Sequence, residues 1–119
     1  MPNPVIHFEI TGKDGKKLQQ FYSSLFDWKI DANNPMDYGM VEAEGNGIAG
    51  GIGPSPQPTG VTVYVEVPNP QAALDKAVSL GGKIVMPVTD IPGAVTMAQF
   101  ADPEGNVIGL VKAGSMQQQ

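Results

Sequence analysis

HFEI at residues 7–10 and YVEV at residues 64–67 open two stretches of the chain that are built alike, and this internal repeat limits the fold more than any other feature. In the first, Ile6, Phe8 and Ile10 alternate with Val5, His7 and Glu9, the period-two pattern of a strand. His7 and Glu9 therefore share a face. TGKDG breaks the strand, and Leu18, Phe21, Tyr22, Leu25 and Phe26 then recur at the spacing of an amphipathic helix, whose stripe is expected to face the core. WKIDA, DYGMVEAE and GIAGGI follow as three short strands separated by turns. In the second stretch VTVYVEV alternates Val61, Val63, Val65 and Val67 with Thr62, Tyr64 and Glu66. Asn69 is a good N-cap, Pro70 suits a first helical turn, and Ala73, Leu74, Ala77, Val78 and Leu80 form an apolar face before Gly81 and Gly82 stop the helix. KIVMPV, AVTMAQF and NVIGLVK supply three more strands, the last two joined by the turn ADPEGN.

The order is thus β-α-β-β-β twice: a first module over 4–52, a proline-rich linker over 53–60, a second module over 61–112 and a polar tail over 113–119. One helix covers one face of each sheet, so the other face must be buried or line a cavity. The expected fold class is α+β, two βαβββ modules forming a curved sheet or open barrel around a cleft.

A chain of 119 residues can bury a single core without staples. Its formal net charge of −5, with seven Lys+Arg against twelve Asp+Glu, offers no basic patch for phosphates or anionic headgroups, so neither nucleic acid nor a membrane is an expected partner. With no cysteine, disulfides, thiolate metal sites and thiol nucleophiles are excluded. No apolar run reaches the length of a membrane span and the first residues lack the pattern of a secretory signal, so a cytoplasmic location is expected.

VIHFEI, FYSSLFDWKI, GNGIAGGI and DPEGNVIGLV together make the chain resemble the glyoxalase, bleomycin-resistance and extradiol-dioxygenase group, the vicinal oxygen chelate superfamily, and within it small proteins related to lactoylglutathione lyase. The resemblance covers residues 4 to about 112. It implies four metal ligands lining a cavity, from the first and last strand of each module, around a divalent cation that polarises a carbonyl or binds dioxygen. The first implied position falls on His7, fourteen residues before Phe21. The second falls on Ala49 or Gly50, the third on Thr62 or Tyr64, and the fourth on Gly109. His7 is the only retained ligand, and a transition-metal centre needs three or four. No cofactor is expected on that count.

The expected site is a small-molecule cleft lined by His7, Glu9, Tyr38, Thr62, Tyr64 and Glu66, with Met40, Met97 and Phe100 as candidate apolar contacts. His7 beside Glu9 is also a candidate general base. Two alternatives stand beside binding: a lyase, isomerase or dioxygenase-type enzyme using an unusual divalent-metal set of His7, Glu9 and Glu66, and a dimeric scaffold without a small ligand. A homodimer is the expected assembly, and a small organic molecule the expected partner. GNGIAGGIG lacks the Lys-Ser/Thr of a phosphate loop, so its glycines are expected to serve turns and close backbone approach.

Overall fold

The computed structural model describes residues 2–55, 60–92 and 95–114. Residues 56–59 of the expected linker and 115–119 of the expected tail lie outside the described residues. The chain forms two compact units, His7–Thr62 and Val63–Gln119, the second joined by Met1–Ile6. Among the described residues no helix is long and apolar enough to cross a membrane.

The first unit is built on β1 (Val5–Gly12), α1 (Gly15–Phe26), β2 (Ile30–Asp31), β3 (Gly39–Val41) and β4 (Ala49–Pro54). Its strands lie in the order β2-β3-β4-β1. β1 and β4 are parallel, with His7 opposite Ala49 and Glu9 opposite Gly51, while β2–β3 and β3–β4 are antiparallel. Asp14 caps α1 by accepting the Lys17 N–H at 3.0 Å. Asp27 ends it in the left-handed region at φ 59°, with its N–H on the Ser23 carbonyl at 2.9 Å.

The stripe expected to face the core does not do so as a whole. Phe21, Leu25 and Phe26 are 58%, 57% and 53% exposed, whereas Gly15 and Gln19 are the buried residues of α1. The reason is close approach: a Cβ at Gly15 would lie 2.5 Å from the Pro54 nitrogen, so glycine lets the helix backbone sit directly on the end of β4. That contact turns the Gly15–Gln19 line inward and leaves Phe21, Leu25 and Phe26 on the outside. Phe8, Trp28, Tyr22 and Phe26 form successive ring contacts with centroids 5.1–6.2 Å apart.

The second unit repeats the topology with β5 (Gly60–Val67), α2 (Pro70–Ser79), β6 (Lys83–Asp90), β7 (Thr96–Ala101) and β8 (Val107–Lys112), ordered β5-β8-β7-β6. Again the first and last strands pair parallel, with Tyr64 opposite Gly109, and the others pair antiparallel. Gly53 and Pro54 complete β4 and Gly60 opens β5, so the described ends of the expected linker are strand. Asn69 accepts the Ala72 N–H at 3.1 Å and Pro70 opens α2, as the sequence indicates. Leu74, Val67, Ala98 and Leu110 make a buried core to which Val65, Ala73, Val88 and Phe100 add partly buried side chains. The chain is an α+β fold of two βαβββ modules.

The expected strands DYGMVEAE and WKIDA shrink to three and two residues. Asp37 adopts φ 54° and the Tyr38 N–H is taken by the Asn34 side chain, which keeps Asp37 and Tyr38 out of the ladder that begins at Gly39. ADPEGN forms the turn expected of it. The Asp102 carboxylate accepts the backbone N–H groups of Glu104 and Asn106 and the Asn106 side-chain amide, each at 2.9 Å.

Candidate functional site

Alternation along β1 turns Phe8 to one face of the sheet and His7 and Glu9 to the other. Phe8 lies against Gly50, where a Cβ would come 2.2 Å from its ring, and it meets Trp28 on the same side. Of the two candidate positions on β4, Gly50 therefore belongs to the Phe8 face, and Ala49 is the residue directly opposite His7.

On the other face three polar groups form a chain. The Tyr38 hydroxyl donates to Glu9 Oε2 at 3.1 Å, and the Tyr38 hydroxyl oxygen lies 3.0 Å from His7 Nε2. The His7 and Tyr38 rings are nearly parallel, 17° apart with centroids at 6.5 Å. His7 is 5% exposed. Burial pushes its imidazole below the usual histidine value, because the cationic form would lose its hydration.

Tyr38 reaches this position because β4 offers no side chain beneath it. A Cβ at Gly51 would lie 1.9 Å from both Cζ and Oη of the ring. Asn34 holds the Tyr38 backbone from both sides, its amide on the Tyr38 carbonyl at 2.6 Å and its oxygen accepting the Tyr38 N–H at 3.0 Å. Buried Gln19 ties the same loop to the sheet by donating to the Asp37 carbonyl at 2.9 Å and the Ile52 carbonyl at 2.7 Å.

The second unit contains a matching arrangement. Tyr64, Gly109 and Gln99 stand in one row across β5, β8 and β7. Tyr64, 5% exposed, lies over Gly109, and Gln99 donates to its hydroxyl at 2.9 Å. Thr62 and Glu66 are half-buried on β5, and the Glu66 N–H donates to the Pro4 carbonyl at 2.9 Å. Met97 shares the strand face of Gln99 by alternation. Phe100, offered by sequence as an apolar ligand contact, packs partly buried against the Val67–Leu74–Ala98–Leu110 core. That core also borders a mainly apolar groove of about 350 Å³ lined by Val65, Ala73, Leu80, Phe100 and Leu110, with Lys76 and Asp102 also on its wall.

Of the expected site residues, the structure joins His7, Tyr38 and Glu9 in one hydrogen-bonded set. Sequence reasoning missed Gln99, Gln19, Asn34 and Gly51. A strand pattern shows which face a residue is on but not which residue stands opposite, and register is what makes Gln99 and Gly51 matter, while Gln19 on α1 and Asn34 in its loop matter through tertiary hydrogen bonds. The residues at the implied metal positions do not fit a four-ligand site: Ala49 and Gly109 have no side-chain ligand atom, and the Tyr64 ring fills the space a side chain at 109 would need. Among the described residues no group of three or more His, Asp or Glu side chains could hold a metal ion.

The glyoxalase-like domain model matches residues 7–111. The chain is 35% identical over 111 residues to the candidate glyoxylase CFP32 of Mycobacterium bovis and of Mycobacterium tuberculosis, a match covering 84% of the chain and 42% of those proteins. It spans well under half the length of these relatives. Among solved structures it superposes on hypothetical protein BH1468 from Bacillus halodurans with a TM-score of 0.69 at 14% identity, each chain covered in full. It also superposes on methylmalonyl-CoA epimerase from Mycobacterium tuberculosis with a TM-score of 0.67 at 14% identity, over 91% of this chain and 86% of that one. Both superpositions speak to the fold alone.

Proposed function

We propose a function from one premise, that the chain belongs to the glyoxalase-like domain family of the vicinal oxygen chelate superfamily: it binds a small organic molecule without a metal ion, at the face carrying His7, Tyr38 and Glu9. The hydrogen-bonded chain Glu9–Tyr38–His7 carries this reading. Polar groups linked in series around buried His7, with Glu9 and Tyr38 half-buried, and braced by a separate set of bonds, fix a small number of directions for a ligand's polar atoms. Ala49, Gly51 and Gly53 on the neighbouring strand carry no bulky side chain, which lets the Tyr38 ring lie over Gly51 and Gly53.

The test is a ligand screen by thermal shift, with and without a chelator, on the native chain and His7→Ala. Binding that survives chelation and is lost in His7→Ala supports the proposal. Retention of a divalent metal at one per chain, with binding abolished by chelation, would replace it with the metal-dependent enzyme reading around His7, Glu9 and Glu66. If no ligand shifts the midpoint, the scaffold reading takes its place.

The partner proposed with this reading is a second copy of the chain. The exposed Phe21, Leu25 and Phe26 on α1 give a homodimer an apolar surface to cover. Light scattering at micromolar concentration, on the native chain and on Phe21→Ser/Leu25→Ser, distinguishes dimer from monomer.

A further inference from the structure

We propose that the groove between α2 and the sheet of the second unit is a ligand site of its own, taking a small monocarboxylate with an apolar body whose carboxylate meets Lys76. Val65 and Val67 on its wall alternate along β5 with Tyr64 and Glu66, so the groove lies on the face of β5 opposite Tyr64.

Side-chain size makes the space. Ala73, Lys76, Ala77 and Leu80 fall at i, i+3, i+4 and i+7 on one line of α2, which runs about 10 Å from 73 to 80. Leu74, one position round the helix, fills the core and is 1% exposed. The methyl groups of Ala73 and Ala77 reach less far, and the room they leave is walled on the sheet side by Val65, Phe100 and Leu110. A Cβ at Gly82 would lie 2.8 Å from the Ala101 carbonyl oxygen, so glycine lets the turn after α2 sit directly against the end of β7. Leu80, 70% exposed, keeps a large apolar side chain in water beside the groove. A volume of about 350 Å³ is at the small end for an organic ligand, and a short apolar chain placed there takes this surface out of water.

Charge selects the head group. Two charged residues border the groove, Lys76 and Asp102. The Asp102 carboxylate accepts the Asn106 side-chain amide and the backbone N–H groups of Asn106 and Glu104, which hold it below the usual carboxylate range and use its oxygens within the turn. Among the described residues no hydrogen bond or ion pair engages the Lys76 ammonium. A lysine stem lies along apolar surface while its head stays in water, which is how an exposed Lys76 also lines this groove. Three N–H donors and one positive charge suit a single carboxylate. A doubly charged head such as a phosphate would set its second charge against Asp102.

Hexanoate, hexan-1-ol and hexylamine carry one apolar chain with three heads. Each is titrated at low ionic strength into the ¹⁵N-labelled native chain with its amide signals assigned. Hexanoate is expected to shift the amides around Val65, Ala77, Gly82 and Leu110 saturably, hexan-1-ol to bind about three- to fivefold more weakly, and hexylamine more weakly still. The imidazole proton signals of His7, the sole histidine, report the first unit in the same samples and are expected to stay in place. Lys76→Gln should weaken hexanoate by about three- to fivefold and leave hexan-1-ol unchanged. Ala77→Leu fills the groove and should abolish both, and Ala73→Leu, one turn earlier, serves the same purpose should Ala77→Leu not fold. Absence of saturable shifts at the groove, or shifts at His7 in their place, would overturn the proposal. So would hexylamine binding as tightly as hexanoate, hexanoate binding unchanged in Lys76→Gln, or binding unchanged in a folded groove-filling variant.

Discussion

Tyr38 lies across Gly51 so closely that a single added carbon at position 51 would sit 1.9 Å from the ring's Cζ and Oη. A contact that short cannot be absorbed by a small adjustment, because the ring is held at its backbone by Asn34. Gly51→Ala should therefore expel Tyr38 and destabilise the fold by about 1–3 kcal/mol, the usual cost of overpacking. Urea unfolding measures the loss. In Gly51→Ala/Tyr38→Ala the two changes should be markedly less than additive, since removing the ring removes the clash. Additive losses would mean that the ring does not occupy this place.

The corresponding pair in the second unit is Tyr64 over Gly109, where an added Cβ would meet the ring at 2.2 Å. Gly109→Glu installs a carboxylate at the position where the family resemblance implies a metal ligand. The expected result is about 1–3 kcal/mol of destabilisation with no gain in metal affinity. Combining it with Tyr64→Ala should recover stability relative to the additive expectation. Calorimetric titration with zinc or nickel and urea unfolding check both halves. A Gly109→Glu protein of native stability would show that the ring moves freely aside.

Gln19 is a polar residue buried on the face of α1 that meets the sheet, and it donates to the carbonyls of Asp37 and Ile52. Gln19→Leu has nearly the same volume but removes both bonds and leaves two acceptors without that donor, so a loss of about 2–4 kcal/mol is expected. Because Asp37 precedes Tyr38, the same variant should broaden or shift the His7 imidazole signals. Gln19→Glu, which keeps the length and no donor, should not restore them. Stability and His7 signals both unchanged would separate Gln19 from the site.

The repeat, the cap of the second helix, the turn at ADPEGN and the shared face of His7 and Glu9 were legible because each depends on neighbours within a few residues. The Asn69 cap and the alternation of VIHFEI are local physics. What was not legible depends on register or rotation. Nothing in the aromatic stripe of α1 announces that Gly15 touches β4, yet that contact decides which side of the helix is buried. Likewise Tyr38 could be placed among cavity candidates by type, but its bridge between His7 and Glu9 follows from Glu9 standing opposite Gly51. Gln99 became visible only when the pairing of β7 with β8 put it opposite Gly109 and within reach of Tyr64.

The rotation of α1 has its own test against α2. Leu74 is 1% exposed and sits in the core of the second unit, so Leu74→Ala should cost about 2–5 kcal/mol. Phe21, larger but 58% exposed, should cost under about 1 kcal/mol on change to alanine in the monomer. Ranking the two by urea unfolding at low protein concentration checks the assignment. A Phe21 effect that grows with protein concentration would show that the surface is covered by a second copy.

Burial of His7 ties stability to pH in one direction. In the folded chain its imidazole resists protonation, while in the unfolded chain it titrates near its ordinary value of about 6.5. Between the lowered folded value and the ordinary one, the unfolded state binds more protons, so unfolding free energy rises with pH across that window. The stabilisation due to neutral burial is complete above the ordinary value and is lost as pH falls through it towards the lowered one. Acid also protonates carboxylates, but those titrations are common to the native chain and to His7→Gln, and they cancel in the difference between the two. The native-minus-variant stability should therefore be flat above about pH 7.5 and decline as pH drops below about 6.5. Urea midpoints at a series of pH values measure it. A difference that stays constant through that range, or grows as the solution is acidified, would mean that His7 is protonated in the folded protein as readily as in water, and the neutral imidazole in the hydrogen-bonded chain would have to be abandoned.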